Sequence, residues 1–143
     1  IGRASAIKMC YAAGTKGTSA LDTALLTAAE ALGVSGELAA ELRASRPEVY
    51  KRMEGVVPGL PIAAGRWVGE MEEIAATFEQ VGVTPHFHRG AADIFRLLSQ
   101  TPFAQETPET RDSSRTLAET IAALAKLLPP RVEAPKRQPR QTS

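Results

Sequence analysis

Residues 3–32 read RASAIKMCYAAGTKGTSALDTALLTAAEAL, and no other segment constrains the architecture of this chain as strongly. The segment has no proline, and its apolar residues recur at Leu21, Leu25, Ala28 and Leu32. This i, i+4, i+7, i+11 spacing predicts one face of an α-helix. We expect a single helix of about 45 Å, at 1.5 Å per residue, which Gly33 ends as a C-terminal glycine.

A stripe of small residues runs along this helix. Gly14 and Gly17 each cost about 1 kcal/mol in a helix relative to Ala, so their presence needs a compensating reason. Together with Ala20, Ala24 and Ala28 they form a surface on which another helix or a ligand can lie close. We expect close packing against another helix.

Five further helices are expected, at residues 35–44 with Ser35 as N-cap, from Pro47 onward, and at 61–81, 86–100 and 113–128. The clearest amphipathic pattern has Trp67, Met71, Ile74 and Phe78 on one face. No Val/Ile/Thr-rich alternating run predicts a strand. The fold class is therefore all-α, with a long first helix and about six helices.

Charge and cysteine content exclude several classes of function. Seventeen basic and sixteen acidic residues give a net charge of +1, which argues against nucleic acid or a membrane as a partner. Cys10 is the sole cysteine, so an internal disulfide and a thiolate metal cluster are excluded, and a cytoplasmic location is expected. We expect Cys10 to be an inert packing residue.

The ends of the chain differ from its middle. The first residue is Ile rather than Met, which suggests a part of something longer. Residues 1–128 can form a helical domain, whereas residues 129–143 are rich in Pro, Lys and Arg, and we expect that tail to be disordered.

Two groups of polar residues have ordinary explanations. His86 and His88 have no carboxylate or cysteine at metal-ligand spacing, so no metal site is predicted and we expect both on the surface at a helix start. Glu70, Glu72, Glu73 and Glu79 either form a solvated face, with Arg66 and Glu70 as an i, i+4 pair, or place Glu70 or Glu73 in a cleft.

Residues 2–17, GRASAIKMCYAAGTKG, resemble the segment that opens the C-terminal domain of β-hydroxyacid dehydrogenases, where a glycine-led loop and a lysine begin a long helix. Arg66-Trp67, residues 70–78, Gly90-Ala91-Ala92 and Thr101-Pro102 also look like the NAD-binding 6-phosphogluconate dehydrogenase-like branch of that family. The resemblance covers about residues 1–128.

The resemblance implies a helical domain that closes the substrate cleft of an NAD- or NADP-dependent enzyme. An N-terminal Rossmann domain, expected upstream of this chain, would bind the cofactor, and the enzyme would be a homodimer acting on a small-molecule substrate. Lys8 falls on the family's acid/base lysine. Lys8, Tyr11, Ala12 and Thr15 share one helical face, so the Tyr11 and Thr15 hydroxyls could hold substrate oxygens. Lys16 is a further candidate for substrate binding.

The sequence also departs from the family pattern. Ala12 stands where the family usually has Asn, and Tyr11 and Thr15 stand where 6-phosphogluconate dehydrogenases have a histidine and an acidic residue, which argues against 6-phosphogluconate as substrate. Glu72-Glu73-Ile74 replaces a Lys-Asp-Leu motif found near the cofactor. Besides a dehydrogenase domain, a non-catalytic dimerisation domain and a free-standing helical regulator remain as alternatives.

Overall fold

A computed structural model describes residues 1–135 and contains helices but no strand in that range. The α-helices are α1 (Arg3–Ala31), α2 (Ser35–Ser45), α3 (Pro47–Val56), α4 (Leu60–Gln80), α5 (His86–Ser99) and α6 (Leu117–Ala125). Short 3₁₀ turns lie at Val57–Gly59 and Pro102–Gln105. The all-α class, the long first helix and the expected number of helices are confirmed. Residues 136–143, most of the expected disordered tail, lie outside the described residues.

Helices α4 and α5 form an antiparallel pair at the centre of the domain. They are joined by a short turn in which Gly82 has a φ of 81°, a conformation that suits glycine. Trp67 meets Phe95 edge-to-face at one end of the pair, with ring centroids 5.4 Å apart, and Phe78 meets His88 at the other end. The amphipathic face predicted for α4 is therefore the face that packs on α5.

The core lies where α1 packs on this pair and where α3 and α6 pack on α1 and on the Val57–Gly59 turn. Its largest fully buried side chains include Met53, Met71, Ile74, Phe95, Leu98 and Leu124. Burial of apolar surface, which contributes about 25 cal/mol per Å², is the main stabilising term for such a core. Within residues 1–135, no helix combines the length and the apolar character needed to cross a bilayer.

The buried side of α1 is not the side that the leucines predicted. Leu21 and Leu32 are exposed, whereas Ala20, Leu26 and Ala29 are buried together with the polar residues Asp22, Thr23 and Thr27. The two threonines can be buried because each hydroxyl donates to the carbonyl oxygen four residues earlier, Thr23 to Ser19 and Thr27 to Thr23. Apolar spacing therefore predicts this helix but does not mark its buried face.

The last helix is shorter than expected. It begins after Thr116 instead of at Ser113, because Thr116 forms a capping box in which its side chain accepts from the Glu119 N–H and the Glu119 carboxylate accepts from the Thr116 N–H. The start of α2 also differs by one residue. Ser35 is its first helical residue, and its hydroxyl donates to Glu30.

A loop at residues 106–116 is attached to the Val57–Gly59 turn by the buried Arg115. The Arg115 guanidinium donates to a Glu106 oxygen at 2.6 Å and to the Pro58 carbonyl at 3.1 Å, and lies over the Phe103 ring. The backbone N–H of Asp112 donates to the other Glu106 oxygen at 2.8 Å. This backbone hydrogen bond, followed by the bond from Arg115, lowers the pKa of Glu106 below its ordinary value of 4.5.

Candidate functional site

The first half of α1 exposes much of its circumference to solvent. Lys8, Tyr11 and Thr15 all lie on exposed positions, and Tyr11 is 74% exposed although it is aromatic. Ile7 beside them is 63% exposed. Exposed apolar and aromatic side chains that lie together often mark a surface that binds a partner or a ligand. The helical face predicted from the sequence is therefore accessible.

The structure divides the predicted residues between two pockets on either side of α1. Lys8 and Ala12 line a small pocket of about 200 Å³ between α1 and α4. Tyr11 and Thr15 line an open pocket of about 600 Å³ between α1 and α3. Lys8 thus lines the smaller pocket and shares it with neither the Tyr11 nor the Thr15 hydroxyl.

Two carboxylates face Lys8 across the smaller pocket. Glu70 and Glu73, one turn apart on α4, line the pocket together with Lys8. Within residues 1–135 the Lys8 ammonium forms no ion pair, whereas Glu70 is bound to Lys16. Lys8 is therefore free to contact a ligand, and the hypothesis that Glu70 or Glu73 faces a cleft agrees with this arrangement.

Lys16 lies apart from both hydroxyls. Its ammonium is 2.5 Å from the Glu70 carboxylate and 4.9 Å from the centre of the Trp67 ring, in a half-buried position between α1 and α4. Glu70 takes this long-range partner in place of Arg66, so the predicted i, i+4 pair does not form. Because its ammonium already has a carboxylate and an aromatic partner, Lys16 is held as a link between two helices.

The larger pocket contains an arginine that sequence reasoning missed. Its walls come from the first half of α1 and from the end of α3, and its lining residues are Cys10, Tyr11, Gly14, Thr15, Thr18, Ser19, Arg52 and Val56. Arg52 Nη2 donates to Oδ2 of the buried Asp22 at 2.9 Å. The only sequence signal was an Asp inside an apolar helix, since a buried carboxylate needs a partner. Cys10 is exposed at the rim, which corrects its predicted packing role.

A third depression, an apolar groove of about 590 Å³, lies between α1 and α5. The small residues Gly14, Gly17 and Ala20 form one wall, and Phe87, His88 and Ile94 contribute to the other. Leu21 and Phe87 are 63% and 78% exposed. The prediction of close packing at the stripe is confirmed at Gly17, where an added Cβ would lie 3.1 Å from His88, but an added Cβ on Gly14 would meet nothing within 4 Å.

His88 is buried, so its predicted surface position was wrong. His88 begins a buried helical face with Ala91, Ala92 and Phe95, at i, i+3, i+4 and i+7. That spacing was visible in the sequence. His88 Nε2 is 3.1 Å from the Ala13 carbonyl oxygen of α1. His86, in contrast, is exposed as expected.

Comparison with known proteins gives one match. The profile of a family described as "Domain of unknown function (DUF1932)" matches residues 29–98, slightly less than half of the chain. The matched segment includes Arg52, Glu70 and His88 but excludes Lys8, Tyr11 and Thr15. No curated protein and no solved structure gave a significant match.

Proposed function

We propose that this chain is the C-terminal helical domain of an NAD- or NADP-dependent oxidoreductase that acts on a hydroxy acid or a related carbonyl compound. The observation that carries the proposal is the position of Lys8. Lys8 is exposed, has no ion pair in the described range, and lines the small pocket between the 29-residue α1 and α4. The resemblance of residues 2–17 to a family with an acid/base lysine at this position supports the same function.

Lys8 would exchange the proton of the reacting oxygen. In its neutral form it accepts the proton of a substrate hydroxyl while the hydride on the same carbon departs, and in the reverse direction its ammonium returns the proton to the carbonyl oxygen. The nicotinamide supplies hydride transfer when it is bound. A Rossmann domain elsewhere in the parent protein would hold the nicotinamide.

Other side chains of α1 would contribute to binding. The Tyr11 and Thr15 side chains line the pocket between α1 and α3 and could bind substrate oxygens there. Lys16, which the sequence also suggests for substrate binding, would act indirectly by holding Glu70 near the Lys8 pocket. We place the parent enzyme in the cytoplasm, where an exposed thiol such as Cys10 stays reduced.

The test is a substitution in the full-length parent protein. Lys8→Met should lower kcat by roughly 10²- to 10⁴-fold in NAD(P)H formation with hydroxy acids, without changing the melting temperature, because Lys8 is exposed. Lys51→Met, which removes an exposed lysine from α3, is the matched control and should leave kcat unchanged. Equal activity of the two variants would remove Lys8 from the reaction.

One observation favours a second candidate function, a non-catalytic dimerisation domain. The groove between α1 and α5 is apolar, and the exposed Phe87 ring stands at its rim. In a two-fold symmetric pair, Phe87 of each copy could enter the groove of the other. A homodimer is compatible with either function. Phe87→Asp should convert the dimer to a monomer in sedimentation velocity, and a wild-type protein that is monomeric at high concentration would reject this interface.

A further inference from the structure

We infer that the pocket between α1 and α3 binds the oxyanion group of a small hydroxylated ligand, with Arg52 as the anchor. The inference concerns binding only and holds whether or not the chain belongs to a dehydrogenase. Its basis is the combination of a fixed guanidinium, unpaired hydroxyl donors and an open pocket of about 600 Å³.

Asp22 fixes the guanidinium at one corner and leaves the rest available. Only Nη2 of Arg52 contacts Asp22, at 2.9 Å, and Nε and Nη1 make no other hydrogen bond within residues 1–135. The Asp22 side chain is 9% exposed and that of Arg52 is 45% exposed. A guanidinium held in this way can offer two parallel N–H donors to a carboxylate or phosphate without losing its first partner.

The charge around the pocket suits an anion. Among the described residues that line it, Arg52 is the charged one, and no carboxylate is present in the lining. The pocket on the other side of α1 is lined by two carboxylates, Glu70 and Glu73, and one ammonium, Lys8, so its lining is net negative. An anionic group in the pocket between α1 and α3 would therefore meet the Arg52 guanidinium, with Asp22 as its existing partner, and, among the described residues, no lining carboxylate.

The hydroxyl side chains that line the pocket determine which other groups the ligand should carry. Thr15 and Ser19 donate to backbone carbonyls of α1, so their oxygens remain as acceptors. The side-chain hydroxyls of Tyr11 and Thr18 make no intramolecular hydrogen bond in the described range and can donate to a ligand. From Tyr11 to Ser19 the pocket extends about 12 Å along the helix. A ligand whose oxyanion binds Arg52 and whose own hydroxyl groups lie along α1 would pair with both the acceptor and the donor hydroxyls of the pocket.

Ligand titration of the 143-residue chain tests the inference. Inorganic phosphate and D-glycerate are added separately at constant ionic strength, and the amide resonances are followed by ¹H–¹⁵N NMR. We expect saturable shifts at residues 11–19 and 52–56. Saturation by phosphate alone identifies a phosphate ligand, and saturation by glycerate identifies a carboxylate ligand. The absence of saturation by both probes would overturn the inference.

Three variants separate binding from structure. Arg52→Gln should weaken the dissociation constant about tenfold or more, as expected for loss of a charge-assisted hydrogen-bond pair, whereas Arg46→Gln removes the same charge from an exposed site and should have no effect. Should Arg52→Gln fail to fold, Arg52→Lys keeps a cation beside Asp22 and should still weaken binding. Thr18→Val should weaken glycerate binding without lowering the melting temperature. Equal affinities of wild type, Arg52→Lys and Thr18→Val would contradict the assignment.

Discussion

His88 Nε2 lies 3.1 Å from the backbone carbonyl oxygen of Ala13 and thereby joins α5 to α1 inside the core. Because a carbonyl oxygen only accepts, Nε2 must carry the proton, and the buried Nδ1 is left without a partner in the described range. The ring also stacks edge-to-face on Phe78 with centroids 5.0 Å apart. These two contacts hold the imidazole in place beside Gly17.

The packing of Gly17 against this ring gives a first prediction. Gly17→Ala would place a Cβ 3.1 Å from Nε2 of a ring that cannot easily move, so the substitution should lower the free energy of unfolding by about 1 kcal/mol. Gly14→Ala is the control in the same helix. Its Cβ would meet no atom within 4 Å, so higher helix propensity should stabilise the protein by up to about 1 kcal/mol. Urea unfolding measures both, and equal stabilisation by the two substitutions would contradict the packing argument.

The lowered pKa of Glu106 predicts that the free energy of unfolding decreases at acidic pH. Its pKa is lowered in the folded state by the Asp112 N–H and then by Arg115, so the folded state favours the charged carboxylate. The resulting stabilisation is present above the unfolded pKa, near 4.5, and is lost as the pH falls through the lower folded value. Asp112 has a lowered pKa for a similar reason, because the Ser114 hydroxyl and N–H donate to it.

Thermal unfolding measured between pH 6 and pH 2.5 checks this dependence. The melting temperature of wild type should fall more steeply below about pH 4.5 than that of Glu106→Gln, which cannot titrate. Exposed Glu109, in the same loop, provides the control substitution Glu109→Gln. Parallel curves for wild type and Glu106→Gln would show that this carboxylate does not couple folding to pH.

The capping box of α6 gives a further prediction, because its removal should lower the stability of the protein. Thr116→Ala removes the oxygen that accepts the Glu119 N–H, and should cost about 1 kcal/mol in the free energy of unfolding. Thr116→Ser keeps the acceptor and should be close to wild type. Chemical denaturation of the two variants side by side makes the comparison, and equal losses would mean that the side-chain oxygen is not the cause.

Local patterns in the sequence were sufficient to predict the helices. The absence of proline in residues 3–32 and the spacing of Trp67, Met71 and Ile74 depend only on residues near one another in the chain. Gly33, with a φ of 73°, ends the first helix where expected. Helical periodicity also predicted the spacing of Lys8, Tyr11 and Thr15 along α1, but it did not predict that two different pockets divide them.

Tertiary structure alone decided which groups meet across helices. The buried face of α1 carries threonines whose hydroxyls bond within the helix, so apolar spacing could not reveal it. Arg52 reaches Asp22 across 30 positions, and Lys16 reaches Glu70 across 54. Such pairs form because helix packing removes a charge from water and only a distant side chain can compensate it. The sequence of this protein therefore determined its helices, whereas packing between helices decided the buried face of α1, the pockets and their charge.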